Sequence, residues 1–415
     1  MTFHLRPFAG ILVLLLVALA CSTDRRAIRP RVIASALACQ IAAGLVMLGI
    51  PAGRRALESI AQGIAWVIDF GHAGIAFVFG GLANPDLARS IPGWSFIFAI
   101  NVLPQIIYLS ALIAVLYHYN IMQVLARGIG MVLARLTGVS TIEAFSAATA
   151  MFLGQTEVPI AIHPYLARLS RSELLSVMSS GTASISMSML AAYSGLGVPM
   201  EYLLAASFMA MPGGLLFAKI LVPARPGPAD DTPHPTSTAE MRSANVFDAL
   251  AVGATNGMRV AVAVCTMLIA FISTIALLNA LLGLAGAGLG YPGLSISGFL
   301  GFLLRPLIWL LGVPWDQCRV VAGIIGTKIA INEFVAYGDL TPYLTQATLP
   351  RQTLAVASFA LCGFANLSSI GVLIGSFGSQ CPERRKDVAA LGWQAVLAGS
   401  LSNMTSAAIA GIFIS

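Results

Sequence analysis

Charge is what this chain has least of. Only 10% of its 415 residues are Asp, Glu, Lys or Arg, against roughly 25% in soluble globular proteins. A water-facing surface of ordinary polarity cannot be assembled from so little. Paired cysteine chemistry is missing as well. Cys21, Cys39, Cys265, Cys318, Cys362 and Cys381 form no C-x-x-C pair, and most lie inside apolar runs. That spacing argues against a disulfide framework or a metal site and leaves small buried hydrophobes. Enzyme signatures are absent too: no H-E-x-x-H, no P-loop, no G-x-S-x-G beside a triad. Intramembrane enzymes use short motifs, so that class stays among the alternatives.

What the chain does have is apolar length. Hydrophobic residues make up 58% of it, and mean hydropathy is +0.86. The apolar runs are about 20 residues long, enough to cross a hydrocarbon core of roughly 30 Å. Spans read at about 7–23, 32–50, 95–118, 172–196, 201–222, 258–284, 351–376 and 387–414. The stretch from about 55 to 82 is Gly-rich and carries Glu58 and Asp69, so it reads as a helix at the interface. Asn245 to Gly257 reads as an amphipathic interfacial helix, and Pro223 to Thr238 as an exposed cytoplasmic loop. The first apolar run is followed, not preceded, by its Arg cluster (Arg25, Arg26, Arg29, Arg31), which favours a retained span over a cleaved signal.

The formal net charge of +6 marks orientation, not nucleic-acid binding, because the Arg residues sit in short loops. One threading places Arg25–Arg31, Arg127, Arg135, Arg168, Arg171, Arg225, Arg242, Arg384, Arg385 and Lys386 inside. Both termini are then outside, after eight crossings. Arg54, Arg55, Arg89 and Arg351 are the exceptions. Arg127 and Arg135 precede an interrupted apolar segment, 141–169, and Arg168 and Arg171 follow it. Its two flanks share a side, so it must enter and return, with Gln155-Thr156-Glu157 at its tip. The region 285–350 meets the same constraint from the opposite side. Its run Ile324 to Tyr337 carries Lys328, Asn332 and Glu333, too polar for a lipid-facing crossing. A second hairpin with Asn332-Glu333 near the tip fits.

The expected fold is therefore an all-α membrane protein: eight transmembrane helices plus two re-entrant hairpins in an inverted-repeat arrangement, with interfacial helices. Such repeats are usual in secondary transporters. The helix behind each hairpin is polar at mid-span, Ser179 to Ser186 in one and Cys362 to Ser369 in the other. Unwinding there would expose backbone groups beside a cavity. The expected organisation is a scaffold part at 1–140, a first transport half at 141–222, further scaffold elements at 223–314 and a second transport half at 315–415.

Glu157 and Glu333 are the carboxylates of interest, since mid-membrane charge costs roughly 2.5–3.5 kcal/mol. The plain alternative is a paired or protonated carboxyl, for instance Glu333 with Lys328. The functional reading is acceptance of hydrogen bonds from substrate hydroxyl or N–H groups. Gln155, Thr156, Asn332, Asn366 and Ser369 add neutral donors and acceptors. Paired arginines, which a phosphate or dicarboxylate would need, are lacking. Ser184 and Ser186 have a helix-packing reading, but Ser184 lies where unwound carbonyls would suit a hard cation. His72, His118 and His163 read as solvated or capping residues near the membrane edges.

At these residues the chain resembles the concentrative nucleoside transporter family. The resemblance runs through Asn101-Val102-Leu103-Pro104-Gln105-Ile106-Ile107, Gly154-Gln155-Thr156-Glu157 with Pro159, and Gly326-Thr327-Lys328 followed by Asn332-Glu333-Phe334. It ends with Cys362-Gly363-Phe364-Ala365-Asn366 and Ser368-Ser369. It implies a homotrimer in the bacterial inner membrane, multi-pass, with an elevator-like transport domain and no organic cofactor. It also implies that Gln155, Thr156 and Glu157 face a nucleobase, that Glu333, Asn366 and Ser369 bind ribose hydroxyls, and that Phe364 and Met189 line the pocket. The implied sodium position is the Ser184 hydroxyl with the carbonyls of Ala150, Leu153, Ser184 and Ile185. The chain departs from the family at Ser186, Met187, Ser188 and Met189, where small residues are usual. Sodium or proton coupling, and a non-concentrating receptor or gate-type permease, remain open at this level.

Overall fold

The computed structural model describes residues 6–83, 97–224, 243–288, 290 and 293–414, and the regular elements among these are all helical. Arg89 and most of the 223–238 loop, with Arg225 and Arg242, lie outside the described residues. Among the described residues seven helices are long and apolar enough to cross a membrane, including Pro30–Gly49, Phe98–His118, Met200–Leu221 and Pro382–Phe413.

These helices divide into two populations. In Met200–Leu221, 94% of the most apolar window is buried, and in Arg171–Gly195 89%. In Val246–Gly288 the share is 6%, and in Pro51–Ala83 it is 17%. The first group is the interior of a bundle. The second presents apolar side chains outward, as a lipid-facing or subunit-facing helix does. Helices Arg171–Ala183, Met200–Leu221 and Arg385–Phe413 pack on one another. Small residues permit the close approach: a β-carbon on Gly214 would sit 3.1 Å from the Ser180 Cα.

Local sequence explains where the interior helices begin. Ser140 and Ser170 each open a helix with a capping box, closed by Glu143 and Glu173 respectively. Glu143 does more than cap. It also forms a buried ion pair with Lys219, whose ammonium donates to Ser172 Oγ at 3.0 Å. The starts of Thr141–Leu153 and Arg171–Ala183 are thereby tied to the end of Met200–Leu221.

The expected unwinding is present. Helix Arg171–Ala183 stops at Ser184 and resumes as Met187–Gly195. Helix Arg351–Leu361 stops at Cys362 and resumes as Ser368–Gln380. The two tip segments are also interrupted. Thr141–Leu153 ends at Gly154 and is followed by the short helices Val158–Ala161 and His163–Leu166. Trp315–Ala330 packs against Glu333–Thr345 across a two-residue link, so the chain folds back there. At 1.5 Å per residue, the 13 residues of Thr141–Leu153 reach only about 20 Å. That is short of a crossing.

One expected boundary is wrong. Asn245–Gly257 and 258–284 were expected as an interfacial helix and a separate span. They form one continuous helix, Val246–Gly288, of 43 residues. Gly253 and Gly257 lie within this helix. They are contact points: a β-carbon at either would lie 2.7 Å from a backbone Cα of helix Leu103–His118, at Ala111 and Ile107 respectively. The amphipathic helix Ile121–Thr137, closed by Gly138 in the left-handed region, was not anticipated. Residues 55–82 are helical but broken at Phe70, between Pro51–Asp69 and Gly71–Phe79.

Candidate functional site

The four breaks converge. The Phe364 amide donates to the Ser184 carbonyl at 3.4 Å, which joins the two unwound helices. The Leu367 amide donates to the Ile329 carbonyl at 3.2 Å, which brings in the second tip. Gln155 Nε2 donates to Ser369 Oγ at 3.3 Å, which brings in the first. Gly154 makes the first tip possible. Its φ of 87° and ψ of 175° fall where a side chain is scarcely tolerated, and a β-carbon there would meet Ser186 at 3.0 Å.

Glu333 is the centre of this meeting point. It is 5% exposed. Tyr193 OH donates to one carboxylate oxygen at 2.9 Å, and Asn366 Nδ2 donates to the other at 2.9 Å. Asn366 Oδ1 in turn accepts from the Ser369 amide at 2.9 Å, from Ser369 Oγ at 3.1 Å and from Ser368 Oγ at 2.6 Å. The single Ser369 hydroxyl proton is placed to go to either Asn366 Oδ1 or the Phe364 carbonyl. Asn332 caps the helix that Glu333 starts, accepting from the Val335 amide at 2.9 Å. An ionised carboxyl accepts at about four lone-pair sites, so Tyr193, Asn366 and a backbone amide leave Glu333 with capacity for a further donor.

The alternative pairing of Glu333 with Lys328 does not occur: among the described residues no ion pair joins them. Lys328 is buried near enough for its charge to act on Glu333, but its ammonium donates to the Ala360 carbonyl at 2.8 Å and to Asn403 Oδ1 at 2.7 Å. Asn403 Nδ2 donates to the Ala183 carbonyl at 2.6 Å and the Cys362 carbonyl at 2.8 Å. Those are the residues where the two interrupted helices stop. One amide therefore satisfies a loose carbonyl from each, and Lys328 holds that amide in place.

The other sequence-selected residues distribute as follows. Gln155, Asn366 and Ser369 are buried together with Glu333. Thr156 is exposed at the tip, and Glu157, partly exposed, lines a cavity of about 400 Å³. Phe364 is partly buried beside Gly154. Met189 is buried in Met187–Gly195, four residues before Tyr193 and so on the same helix face. Ala150, Leu153, Ser184 and Ile185 are all buried at the ends of their helices. Ser184 Oγ donates to the Ser180 carbonyl at 2.8 Å, leaving its lone pairs for a cation. Ser186 Oγ pairs with Ser188 Oγ at 3.0 Å.

Tyr193 and Asn403 were missed. A mid-span Tyr needs a partner for its hydroxyl, and an Asn within an apolar helix needs several. Those requirements were the available signals. Tyr193 also stacks tilted on Phe334 and Tyr337, with ring centroids 4.9 and 4.7 Å away, so aromatic packing fixes the donor.

An all-helical membrane chain whose polar groups gather at the crossing of four interrupted helices is built as a transporter. Comparison with known proteins bears this out. A family model described as Na+ dependent nucleoside transporter C-terminus matches residues 202–411, and its N-terminal counterpart matches 9–82. A third, described as nucleoside recognition, matches 99–200. The chain is 45% identical over 409 residues to nucleoside permease NupC of Helicobacter pylori, spanning 98% of this chain and 96% of that one. It is 43% identical over 411 residues to the putative nucleoside permease NupX of Escherichia coli, 99% of each. It is 33% identical over 422 residues to human sodium/nucleoside cotransporter 1, 99% of this chain and 64% of the human protein. The solved structure of CNTnw in an inward-facing substrate-bound state superposes with a TM-score of 0.92 at 45% identity, over 100% of both chains. The chain belongs to the concentrative nucleoside transporter family. It is a transporter and not an enzyme.

Proposed function

We propose that this protein imports nucleosides across the bacterial inner membrane by cation symport, with sodium favoured over protons. The observation that carries the reading is Glu333, buried and in no contact ion pair among the described residues, held by Tyr193 and Asn366 where both tips meet. A carboxylate so placed is suited to accept the vicinal hydroxyls of a ribose. Asn366 and Ser369 extend the hydroxyl-binding end. Gln155, Thr156 and Glu157 take the base, with Phe364 and Met189 as apolar walls. Sodium is cargo in this scheme, held by the Ser184 hydroxyl and the carbonyls of Ala150, Leu153, Ser184 and Ile185.

The mechanism follows from how the elements are tied. The interrupted helices and both tips share hydrogen bonds, and Asn403 joins the two helix ends, so they are suited to move as one unit. The long helix Val246–Gly288 packs mainly on Leu103–His118 and is otherwise outward-facing. We assign 141–222 and 315–415 to an elevator-like transport unit. The segments 1–140 and 223–314 form the scaffold, whose outward apolar helices suit a homotrimer. Eight crossings and two re-entrant hairpins are the threading consistent with this assignment.

The test is uptake of labelled uridine and adenosine into proteoliposomes under an inward sodium gradient, then a proton gradient. Accumulation under one of them is the expected result. Saturable binding without accumulation would favour a non-concentrating receptor or gate-type permease. No binding and no uptake would refute the reading.

A further inference from the structure

The cavity that Glu157 lines has a second wall, and that wall comes from the proposed scaffold. Its approximate volume of 400 Å³ falls within the roughly 300–1,000 Å³ typical of small-molecule sites. Glu157 follows the first tip and Ser188 lies in Met187–Gly195, while Ser110, Tyr117, Asp248 and Asn256 come from helices Leu103–His118 and Val246–Gly288. Tyr117 is the informative residue. It is 8% exposed, and its hydroxyl has no hydrogen-bond partner among the described residues. Its backbone is held firmly, because the Tyr117 carbonyl accepts from the Asn120 amide at 2.9 Å and from Gln123 Nε2 at 2.9 Å. An unpartnered buried hydroxyl is destabilising, and one that persists calls for an explanation. Packing alone would be served as well by Phe.

The chemistry of the two walls is complementary. An ionised Glu157 offers only acceptors, whereas a phenol both donates and accepts. The polar edge of a nucleobase carries N–H groups beside carbonyl or ring-nitrogen acceptors. A carboxylate meets the N–H groups, and a hydroxyl is needed for the acceptors.

Building on the nucleoside reading above, we propose that Tyr117 and Asn256 form a scaffold-side subsite that hydrogen-bonds the polar edge of the nucleobase while Glu157 engages it from the tip segment. Base discrimination is then shared between the two units, and it operates only while the first tip lies against helix Leu103–His118. The ribose end at Glu333 is independent of it.

Tyr117→Phe tests this in proteoliposomes, using whichever of uridine and adenosine the wild type takes up. Loss of one hydrogen bond is expected to raise KM about five-fold, with kcat within about two-fold. The competing probe is benzimidazole riboside, which keeps the ribose but has no polar atom on its six-membered ring. Its inhibition constant is expected to stay the same. The melting temperature of nucleoside-free Y117F is expected to equal or exceed that of wild type, since no protein partner is lost. Asn256→Ala, at an exposed helix position, is expected to shift KM in the same direction. An unchanged KM in Y117F would overturn the proposal. So would an equal shift for benzimidazole riboside, or a lowered melting temperature without nucleoside, because either would mark a packing role. If the wild type neither binds nor transports any nucleoside, the functional reading falls first, and this subsite with it.

Discussion

Replacing Asn403 by Leu should unfasten the centre of the molecule. Its side-chain amide makes three buried hydrogen bonds: to the Ala183 carbonyl, to the Cys362 carbonyl, and from Lys328. Leucine has the same number of side-chain heavy atoms and the same branching, so the shape is roughly kept while all three bonds vanish. Each buried group left without a partner costs about 1–3 kcal/mol. Lys328 keeps the Ala360 carbonyl, so the two carbonyls put the loss at about 2–6 kcal/mol, comparable with the net stability of about 5–15 kcal/mol of many domains. The expected outcome is a fall in the melting temperature of the detergent-solubilised protein by about 5 °C or more, with loss of nucleoside uptake. Asn403→Asp separates donor from acceptor. It keeps an oxygen for Lys328 but loses the N–H groups that face Ala183 and Cys362, so it should also be destabilised. The decisive variant is Asn403→Leu with Lys328→Met. Removing both members of a buried polar pair is often close to neutral, whereas removing one is costly. The double variant should therefore recover part of the loss. An Asn403→Leu protein as stable as wild type, or a double variant no better than the single one, would refute the reasoning.

Tyr193→Phe removes one of the two donors that orient the Glu333 carboxylate. Hydrogen bonds to charged groups are worth about 1.5–3 kcal/mol, so nucleoside KM should rise by about ten-fold or more in uptake assays. Gly154→Ala forces a β-carbon into a backbone region costing about 1–3 kcal/mol and against Ser186. Uptake and melting temperature should both fall, and wild-type values of both would disprove the strain. Ser184→Ala removes a hydroxyl from the proposed sodium position, so the sodium concentration giving half-maximal uptake should increase. An unchanged sodium dependence would move the ion elsewhere. Glu333→Gln should abolish the preference for ribosides over 3′-deoxy analogues, measured by competition.

The helix breaks were readable because their causes are local. Gly154, the polar run at Ser179–Ser186 and the Cys362–Ser369 stretch interrupt apolar periodicity within a few residues of where each helix stops. Capping boxes at Ser140 and Ser170 are equally local. The boundary expected between Asn245–Gly257 and 258–284 failed for a related reason. A glycine in sequence signals either a break or a close approach, and only the neighbouring helix Leu103–His118 shows which. The fate of Lys328 was likewise open, since nearness in sequence to Glu333 suggested a partner that the fold does not supply.

Sequence alone was enough to read an all-helical membrane protein with polar interruptions at Gly154–Glu157 and Asn332–Glu333, because hydrophobic length and scarce charge act residue by residue against the bilayer. The tertiary structure decided which polar groups satisfy one another. Tyr193 reaches Glu333 across 140 positions, and Lys328 reaches Asn403 across 75. Burial demands a partner for each such group, but the demand names a chemistry and not a position. Only the packing of the interrupted helices brings the particular atoms together.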